Sequence, residues 1–353
     1  MSATSRHALR AASVAERPRV WVSQPLFDDI VSRLHAYFDV VQAPDVREHD
    51  EAAIAAALRE VDGALVTLNE RIGEREIASA PKLRAVANVG VGYDNLDVGA
   101  LQSRGIVATN TPDVLTETTA DFGFALMMAA ARRITESERH LRGGKWTGWN
   151  FKGLLGADLH RSTLGILGMG RIGQGIAKRA SGFDMQVLYH NRSRLPADVE
   201  GAYKASYVDF DTLLARADHL VLVLPYSPQT HHIVDAAALA KMKPTATLTN
   251  IARGGIVDEA ALAEALGSGR LAAAALDVFE GEPAVDPRLL ALDNIVLTPH
   301  IASGSLSTRR AMVTLAVDNL IAALGAGPDA GRPPTPIVPV TQGGDAGKRA
   351  GAA

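Results

Sequence analysis

One stretch constrains the fold more than any other: Thr163-Leu164-Gly165-Ile166-Leu167-Gly168-Met169-Gly170-Arg171-Ile172-Gly173. It reads as a buried strand, a glycine turn and the first turn of a helix. Gly168 permits the tight turn. Gly170 removes the Cβ that would block a pyrophosphate, and Gly173 lets helix and strand pack closely. The helix from Ile172 to about Ala180 aims its first N–H groups and its positive dipole end at that turn, which makes an anion site. A bare GxGxxG is a weak signal. Here an apolar strand precedes it, an amphipathic helix follows, and a second apolar strand, Met185 to Tyr189, comes next. That context favours a dinucleotide site.

The end of the second strand bears on which dinucleotide. It runs Tyr189-His190-Asn191-Arg192-Ser193-Arg194. A site that prefers NAD places a carboxylate about 20 residues past the glycines to accept from the ribose 2′-OH. Asn191 stands there instead. Arg192 can clamp a 2′-phosphate and Ser193 can donate to it. NADP(H) is therefore expected over NAD(H); the competing reading makes the arginines solvated loop charges.

Composition narrows the class. At 353 residues the chain is too long for one core and suits two domains. A net charge of −3 argues against nucleic acid or an anionic membrane surface as the main partner. The absence of cysteine excludes disulfides, thiolate metal sites and cysteine nucleophiles, and is compatible with the cytoplasm, the expected location. No apolar run reaches membrane-spanning length. Residues 1–17 lack the apolar core of a secretory signal and read as a disordered start. The Pro-, Gly- and Ala-rich tail from Gly331 reads as extended, then disordered over 336–353. No metal is expected: no cluster has ligand spacing, and His231-His232 sit side by side on a loop.

Strand-like and helix-like segments alternate along nearly the whole chain, which predicts an α/β fold with parallel sheets. Arg19–Ser23, Ala64–Leu68, Arg84–Val89 and Gly105–Thr109 read as strands. Leu26–Tyr37 and Ala52–Val61 read as helices. A long connector helix is predicted from Glu117 to Ile134, with Thr116 and Thr118 offering capping oxygens. After a loop from Gly143 to Arg161 that holds Trp146 and Trp149 come six strands: Thr163–Leu167, Met185–Tyr189, His219–Leu224, Ala246–Asn250, Ala273–Leu276 and Ile295–Thr298. Six match one doubly wound dinucleotide domain. A last helix runs from about Ser305 to Leu324.

Three segments fall at the carboxyl ends of those strands, where ligands bind in such sheets. In Asn250-Ile251-Ala252-Arg253-Gly254-Gly255, Arg253 is flanked by small residues. Its planar fork can hold the carboxylate and carbonyl oxygens of a 2-keto acid and polarise the carbonyl. In Thr298-Pro299-His300, the histidine is the natural acid for an alkoxide forming at that carbonyl. In Asp277-Val278-Phe279-Glu280-Gly281-Glu282-Pro283, Glu282 is the carboxylate that would orient His300 and favour its charged form. Each residue alone is more often structural; the three together are not.

These motifs, with Asn88-Val89-Gly90-Val91-Gly92-Tyr93-Asp94 and Asn110-Thr111-Pro112 upstream, occur in the order and spacing of the D-isomer-specific 2-hydroxyacid dehydrogenases. The chain resembles that family over about residues 19–340, and within it the NADPH-dependent glyoxylate/hydroxypyruvate and 2-ketogluconate reductases. The resemblance implies two doubly wound parallel-sheet domains. A Rossmann cofactor domain, 116–303, is inserted into a flavodoxin-like substrate domain built from 18–115 and 304–335. It implies Arg253, Glu282 and His300 as the catalytic set. It implies a cofactor site at Gly168, Met169, Gly170, Arg171, Ile172, Gly173, Asn191, Arg192 and Ser193, with Leu224, Pro225, Thr230, Ile251, Ala252, Asp277 and Thr118 around it. Asp277 and the backbone near Ile251 would hold the nicotinamide end. Substrate would meet Val91, Gly92, Arg253, His300 and Ser303, with Trp149 reaching the pocket of a partner subunit in a homodimer. Two other readings stay open. One is the same fold acting on phosphite, D-lactate or phenylpyruvate, and the other a weakly catalytic NADPH-sensing protein.

Overall fold

The computed structural model describes residues 17–44 and 50–338. The described chain forms two compact units. One holds the residues up to Thr111 and those from Val313 on, and the other is continuous from Pro112 to Met312.

The first unit is built on five strands: β1 (Arg19–Val22), β2 (Asp39–Gln42), β3 (Gly63–Val66), β4 (Ala85–Asn88) and β5 (Val107–Thr109). All pair in parallel, in the order β2-β1-β3-β4-β5. β3 and β4 are buried throughout, the mark of parallel strands covered on both faces. β2 was not foreseen. It is a half-exposed edge strand whose polar ends hide its two valines. The helix expected over Leu26–Tyr37 is shorter: one α turn at Asp28–Val31, then a 3-10 segment at Ser32–Ala36. Residues 336–338, expected within the disordered tail, instead lie along β5. Pro336 bridges Thr109, and Ile337 N donates to Ala108 O at 2.9 Å. The rest of that tail and residues 1–16 lie outside the described residues.

The second unit carries β6 (Thr163–Leu167), β7 (Gln186–His190), β8 (Ala205–Tyr207), β9 (His219–Leu222), β10 (Thr247–Asn250), β11 (Ala273–Leu276) and β12 (Ile295–Leu297). Again every pairing is parallel, in the order β12-β11-β10-β9-β6-β7-β8. The winding direction reverses at β6, so the switch point lies between β6 and β9, where open α/β sheets take their ligands. This is the doubly wound Rossmann arrangement, with β8 added to the six expected strands. The other unit has the flavodoxin-like order. The fold is thus two doubly wound parallel-sheet domains.

The connector departs from expectation. It is two helices, Thr116–Ala131 and Ile134–Arg142, with Arg133 between them in the left-handed region at φ 53°. The cause is tertiary. Ala157 N donates to Ala131 O at 2.8 Å, so the returning chain takes a carbonyl the helix would use. Arg133 is then held by Glu136 at 2.5 and 2.7 Å. Neither expected threonine caps the first helix. Its N-cap is Leu115, and Thr118 Oγ1 pairs with Thr308 Oγ1 at 2.6 Å instead. Among the described residues no helix is long and apolar enough to cross a membrane.

Candidate active site

The glycine turn after β6 shows three distinct requirements. Gly168 sits at φ 103°, and a Cβ there would stand 2.7 Å from Leu224 N and Val223 C. A Cβ on Gly173 would stand 2.5 Å from Gly168 O, so strand and helix touch through it. A Cβ on Gly170 would meet nothing within 4 Å. Gly170 therefore faces open space, and no packing explains the lack of a side chain. Gly170 is also the N-cap of the helix Arg171–Ala180 and makes no side-chain cap bond. The first N–H groups of that helix have no protein acceptor among the described residues, which leaves them for an anion. Open space beside unspent donors fits a pyrophosphate.

Asn191 does more than replace a carboxylate. Its Oδ1 accepts from Met169 N at 2.6 Å and fastens the end of β7 to the glycine turn. Arg192 and Ser193 follow with exposed side chains. Arg171 is engaged with Asp113 at 2.7 Å. Leu224 and Pro225 line the chain after β9, and the Thr230 hydroxyl is spent on Ser227 N and Pro225 O. Ile251 and Ala252 are both buried, Ile251 against Gly123 and its helix, where a Cβ on Gly123 would strike Ile251 Cδ1 at 2.6 Å.

The three segments at the strand ends come together in this unit. His300 Nδ1 donates to Glu282 Oε2 at 2.9 Å. A carboxylate can only accept, so Nδ1 carries the proton and Nε2 is left facing away from Glu282, with no partner among the described residues. Glu282 Oε1 accepts from Phe279 N at 2.8 Å, which locks the carboxylate from the other side. Burial pushes the Glu282 carboxyl up. The hydrogen bond and charge of His300, the Phe279 amide and the charge of Arg253 outweigh it and hold the group below its ordinary 4.5. A depressed carboxyl stabilises the fold above its unfolded pKa, and loses that contribution as the pH falls through the folded value. The Tm difference between wild type and Glu282→Gln should accordingly be steady from neutral pH down to about 4.5 and shrink below it. A difference that stays constant on acidification would show that the pairing is not what depresses Glu282.

Arg253 is placed by its backbone. Asn250 is fully buried at the end of β10; its Nδ2 donates to Arg253 O at 2.8 Å and its Oδ1 accepts from Ala252 N at 3.0 Å. Arg253 Nη1 donates to Ala252 O at 2.8 Å. Gly254 then packs on the Phe279–Glu280 backbone, so the segment bearing Arg253 and the segment bearing Glu282 touch without side chains between them.

Asp277 is fully buried, and its carboxylate organises the next segment. Oδ1 accepts from Thr298 Oγ1 at 2.7 Å and Ile301 N at 2.9 Å, and Oδ2 accepts from Ala302 N at 2.8 Å. Its carbonyl accepts from His300 N at 2.8 Å. Burial raises the carboxyl despite these three bonds. The turn it closes holds His300 at φ 52°, a left-handed backbone that a residue with a Cβ adopts at some cost. Ser303 follows on the same turn. Sequence reasoning missed two supports of this region. Glu259, buried and with its carboxyl raised by burial, accepts from Glu280 N at 2.6 Å. Its position just after Asp258, the N-cap of a helix, carried no such signal. His232 Nε2 pairs with Glu280 Oε2 at 2.8 Å. With His231 these groups bring donor atoms within 4.8 Å of one another. The two imidazoles, however, stack at 3.9 Å and 21°, and His231 faces Tyr226.

In the other unit the turn after β4 carries Val91 and Gly92. Their carbonyls are held by side chains, Asn110 Nδ2 to Val91 O and Asn88 Nδ2 to Gly92 O, both at 2.8 Å. Their N–H groups have no partner among the described residues, the arrangement of an anion nest. Trp149 is 81% exposed and lies edge-on to Phe151, 78% exposed, at 5.9 Å.

Comparison with known proteins agrees with this geometry. Residues 124–302, half of the chain, match the model for the D-isomer specific 2-hydroxyacid dehydrogenase, NAD binding domain. The glyoxylate reductase of Pyrococcus horikoshii is 44% identical over 310 residues, 87% of this chain and 92% of the relative. The chain belongs to the D-isomer-specific 2-hydroxyacid dehydrogenase family. Glyoxylate/hydroxypyruvate reductase B of Citrobacter koseri is 45% identical over 310 residues, 87% of this chain and 95% of the relative. Among solved structures, the NADPH-dependent glyoxylate/hydroxypyruvate reductase of Sinorhizobium meliloti, in complex with NADP and malonate, superposes with a TM-score of 0.80. It is 36% identical and covers 91% of this chain and 97% of its own. The Rossmann unit is the NAD-binding domain of this dehydrogenase, and its cofactor is a nicotinamide dinucleotide.

Proposed function

We propose that this dehydrogenase reduces small 2-keto acids, glyoxylate and hydroxypyruvate first among them and 2-ketogluconate after them, to D-2-hydroxy acids at the expense of NADPH. The observation that carries the reaction is the His300–Glu282 pair, with Arg253 supported beside it. The names of the relatives given above support glyoxylate and hydroxypyruvate.

The glycine turn, Asn191, Arg192, Ser193, the chain at Leu224, Pro225 and Thr230, and Thr118 would hold the cofactor. Asp277, whose Oδ2 accepts one hydrogen bond, and the backbone near Ile251 and Ala252 would hold the nicotinamide end. The bound cofactor supplies a hydride to C2 of the keto acid. Arg253 holds the carboxylate and carbonyl oxygens in its fork and stabilises the negative charge that grows on the carbonyl oxygen. His300 gives the proton on Nε2 to that oxygen as it becomes a hydroxyl. Glu282 fixes the ring and its tautomer through Nδ1–H. By the family resemblance, the amides of Val91 and Gly92 would bind a carboxylate, and Ser303 would offer a hydroxyl to substrate. The absence of a carboxylate at Asn191, with Arg192 and Ser193 exposed beside it, supports NADPH over NADH.

A homodimer is part of this reading. Trp146, Trp149, Phe151 and Leu155, with Ile134 and Leu141, are large apolar side chains exposed along one segment of the chain. Their cover in this reading is a second copy, with Trp149 entering its substrate site. One assay series tests the whole. Oxidation of NADPH and of NADH is followed against glyoxylate, hydroxypyruvate, 2-ketogluconate and phenylpyruvate, on a sample whose mass is set by sedimentation. Turnover of the first two with NADPH, at twice the chain mass, is expected. Saturable NADPH binding without turnover would leave a nucleotide-sensing protein, preference for NADH would overturn the cofactor assignment, and a monomer would overturn the dimer.

A further inference from the structure

The turn after β7 is fastened at every residue except two. His190 Nδ1 donates to Val208 O at 2.9 Å, and His190 O accepts from Gly168 N at 3.0 Å. Asn191 holds Met169 N at 2.6 Å, and its own carbonyl accepts from Tyr207 Oη at 3.4 Å. Arg194 donates twice to Glu200, Nε to Oε1 at 2.9 Å and Nη2 to Oε2 at 2.8 Å. Leu195 N donates to Tyr189 Oη at 2.8 Å, and that hydroxyl donates to Glu200 Oε1 at 2.6 Å. Arg192 and Ser193, between these fixed points, are exposed and have no side-chain partner among the described residues.

The Tyr189–Glu200 side of the fastening is buried, while the Arg194 side chain is 66% exposed. Tyr189 is 0% exposed, and the Glu200 residue is buried as well. Tyr189 places its hydroxyl beneath the turn, where it accepts from the Leu195 backbone and hands its own proton to Glu200. Glu200 is held down to about 2, first by the Arg194 hydrogen bonds and then by Tyr189, so it is charged at any pH at which the enzyme works. The two arginines that look alike in the sequence are thus unlike in the fold. The charge of Arg194 is already met by a bidentate carboxylate, whereas that of Arg192 is not.

We propose that Glu200 and Tyr189 are positioning residues for cofactor choice. They hold Arg194 and Leu195 so that Arg192 and Ser193, and not Arg194, are presented to the ribose 2′-phosphate. This rests on the NADPH reading above and extends it to two buried residues that would touch neither cofactor nor substrate. An exposed arginine on a loose turn loses much of its grip to the entropy of ordering it; a turn fixed on both sides has already met that cost.

The test is a set of single variants read as KM for NADPH and for NADH, with kcat at saturating cofactor and Tm. Arg192→Ala should raise KM for NADPH about tenfold or more and leave NADH nearly untouched, the loss expected for a charge-assisted contact. Glu200→Gln keeps the shape of the side chain and removes its charge. It should also raise KM for NADPH, by about three- to tenfold, with KM for NADH and kcat unchanged. Tyr189→Phe keeps the buried ring and should give a smaller shift in the same direction, so the idea survives testing even if Glu200→Gln folds poorly. A merely structural role would move both cofactors and Tm together. Three outcomes overturn the proposal. If Glu200→Gln lowers KM for NADPH, Arg194 is a second phosphate ligand that Glu200 restrains. If wild type prefers NADPH and both variants keep that preference, the positioning role falls alone. If wild type shows no preference, the NADPH reading falls and takes the proposal with it.

Discussion

His300→Ala should lower kcat for keto-acid reduction by about 10²- to 10⁴-fold while leaving cofactor binding intact. The geometry of the ring suits the acid role proposed for it: Nδ1 is committed to Glu282 at 2.9 Å, which leaves Nε2 to give a proton. Alanine also inherits a left-handed backbone, φ 52°, which it tolerates poorly. His300→Asn separates the two effects, because asparagine accepts that backbone but cannot act as the acid at neutral pH. Both variants should lose turnover, and His300→Asn, spared the backbone strain, should melt above His300→Ala. Near-normal turnover in His300→Asn would remove the histidine from the reaction.

The largest loss of stability is expected from a single methyl group. In Gly254→Ala the new Cβ would stand 1.9 Å from Phe279 C, 2.0 Å from Phe279 O and 2.3 Å from Glu280 N. All three are backbone atoms, so no rotamer change relieves the clash; two chain segments must part. We expect a cost of about 3 kcal/mol or more, a drop in Tm of roughly 6–12 °C for a domain of this size. Activity should fall further than stability accounts for, because the segments that part are those bearing Arg253 and Glu282. Gly170→Ala is the contrast. Its Cβ meets nothing within 4 Å, so the fold should hold while KM for the cofactor rises. A Gly254→Ala protein that melts within a degree or two of wild type would mean that the close approach is not maintained in solution.

How much of this could be read beforehand depended on where each residue's partner lies. The tight turn at Gly168 and the close packing at Gly173 were legible because each arises within one strand–turn–helix unit. Arg253, Glu282 and His300 could be picked out as motifs at strand ends, and the structure shows a hydrogen bond between two of them, His300 and Glu282. Edge strands β2 and β8 were missed for a physical reason. They are short and half-exposed, so they lack the apolar runs that mark the central strands. The break at Arg133 was invisible because Ala157, far along the chain, causes it. Asn250 and Glu259 looked like any polar residues at a strand end and a helix start. Their work is on backbone atoms, Arg253 O and Glu280 N, which no side-chain pattern announces. Glu200 was missed likewise, since its value lies in a tyrosine eleven positions back on the preceding strand.

The split of the first domain has a consequence for how the polypeptide matures. Gly63 lies against Leu320 and Leu324, and Asn319 joins Asn110 to Thr335. On a ribosome β1 to β5 emerge before the nucleotide-binding half, yet the residues that finish their packing are made after it. The earlier strands must wait, with part of their apolar face uncovered, until the helix bearing Leu320 and Leu324 has been made. The half born in the middle has every one of its strands in hand as soon as β12 is out.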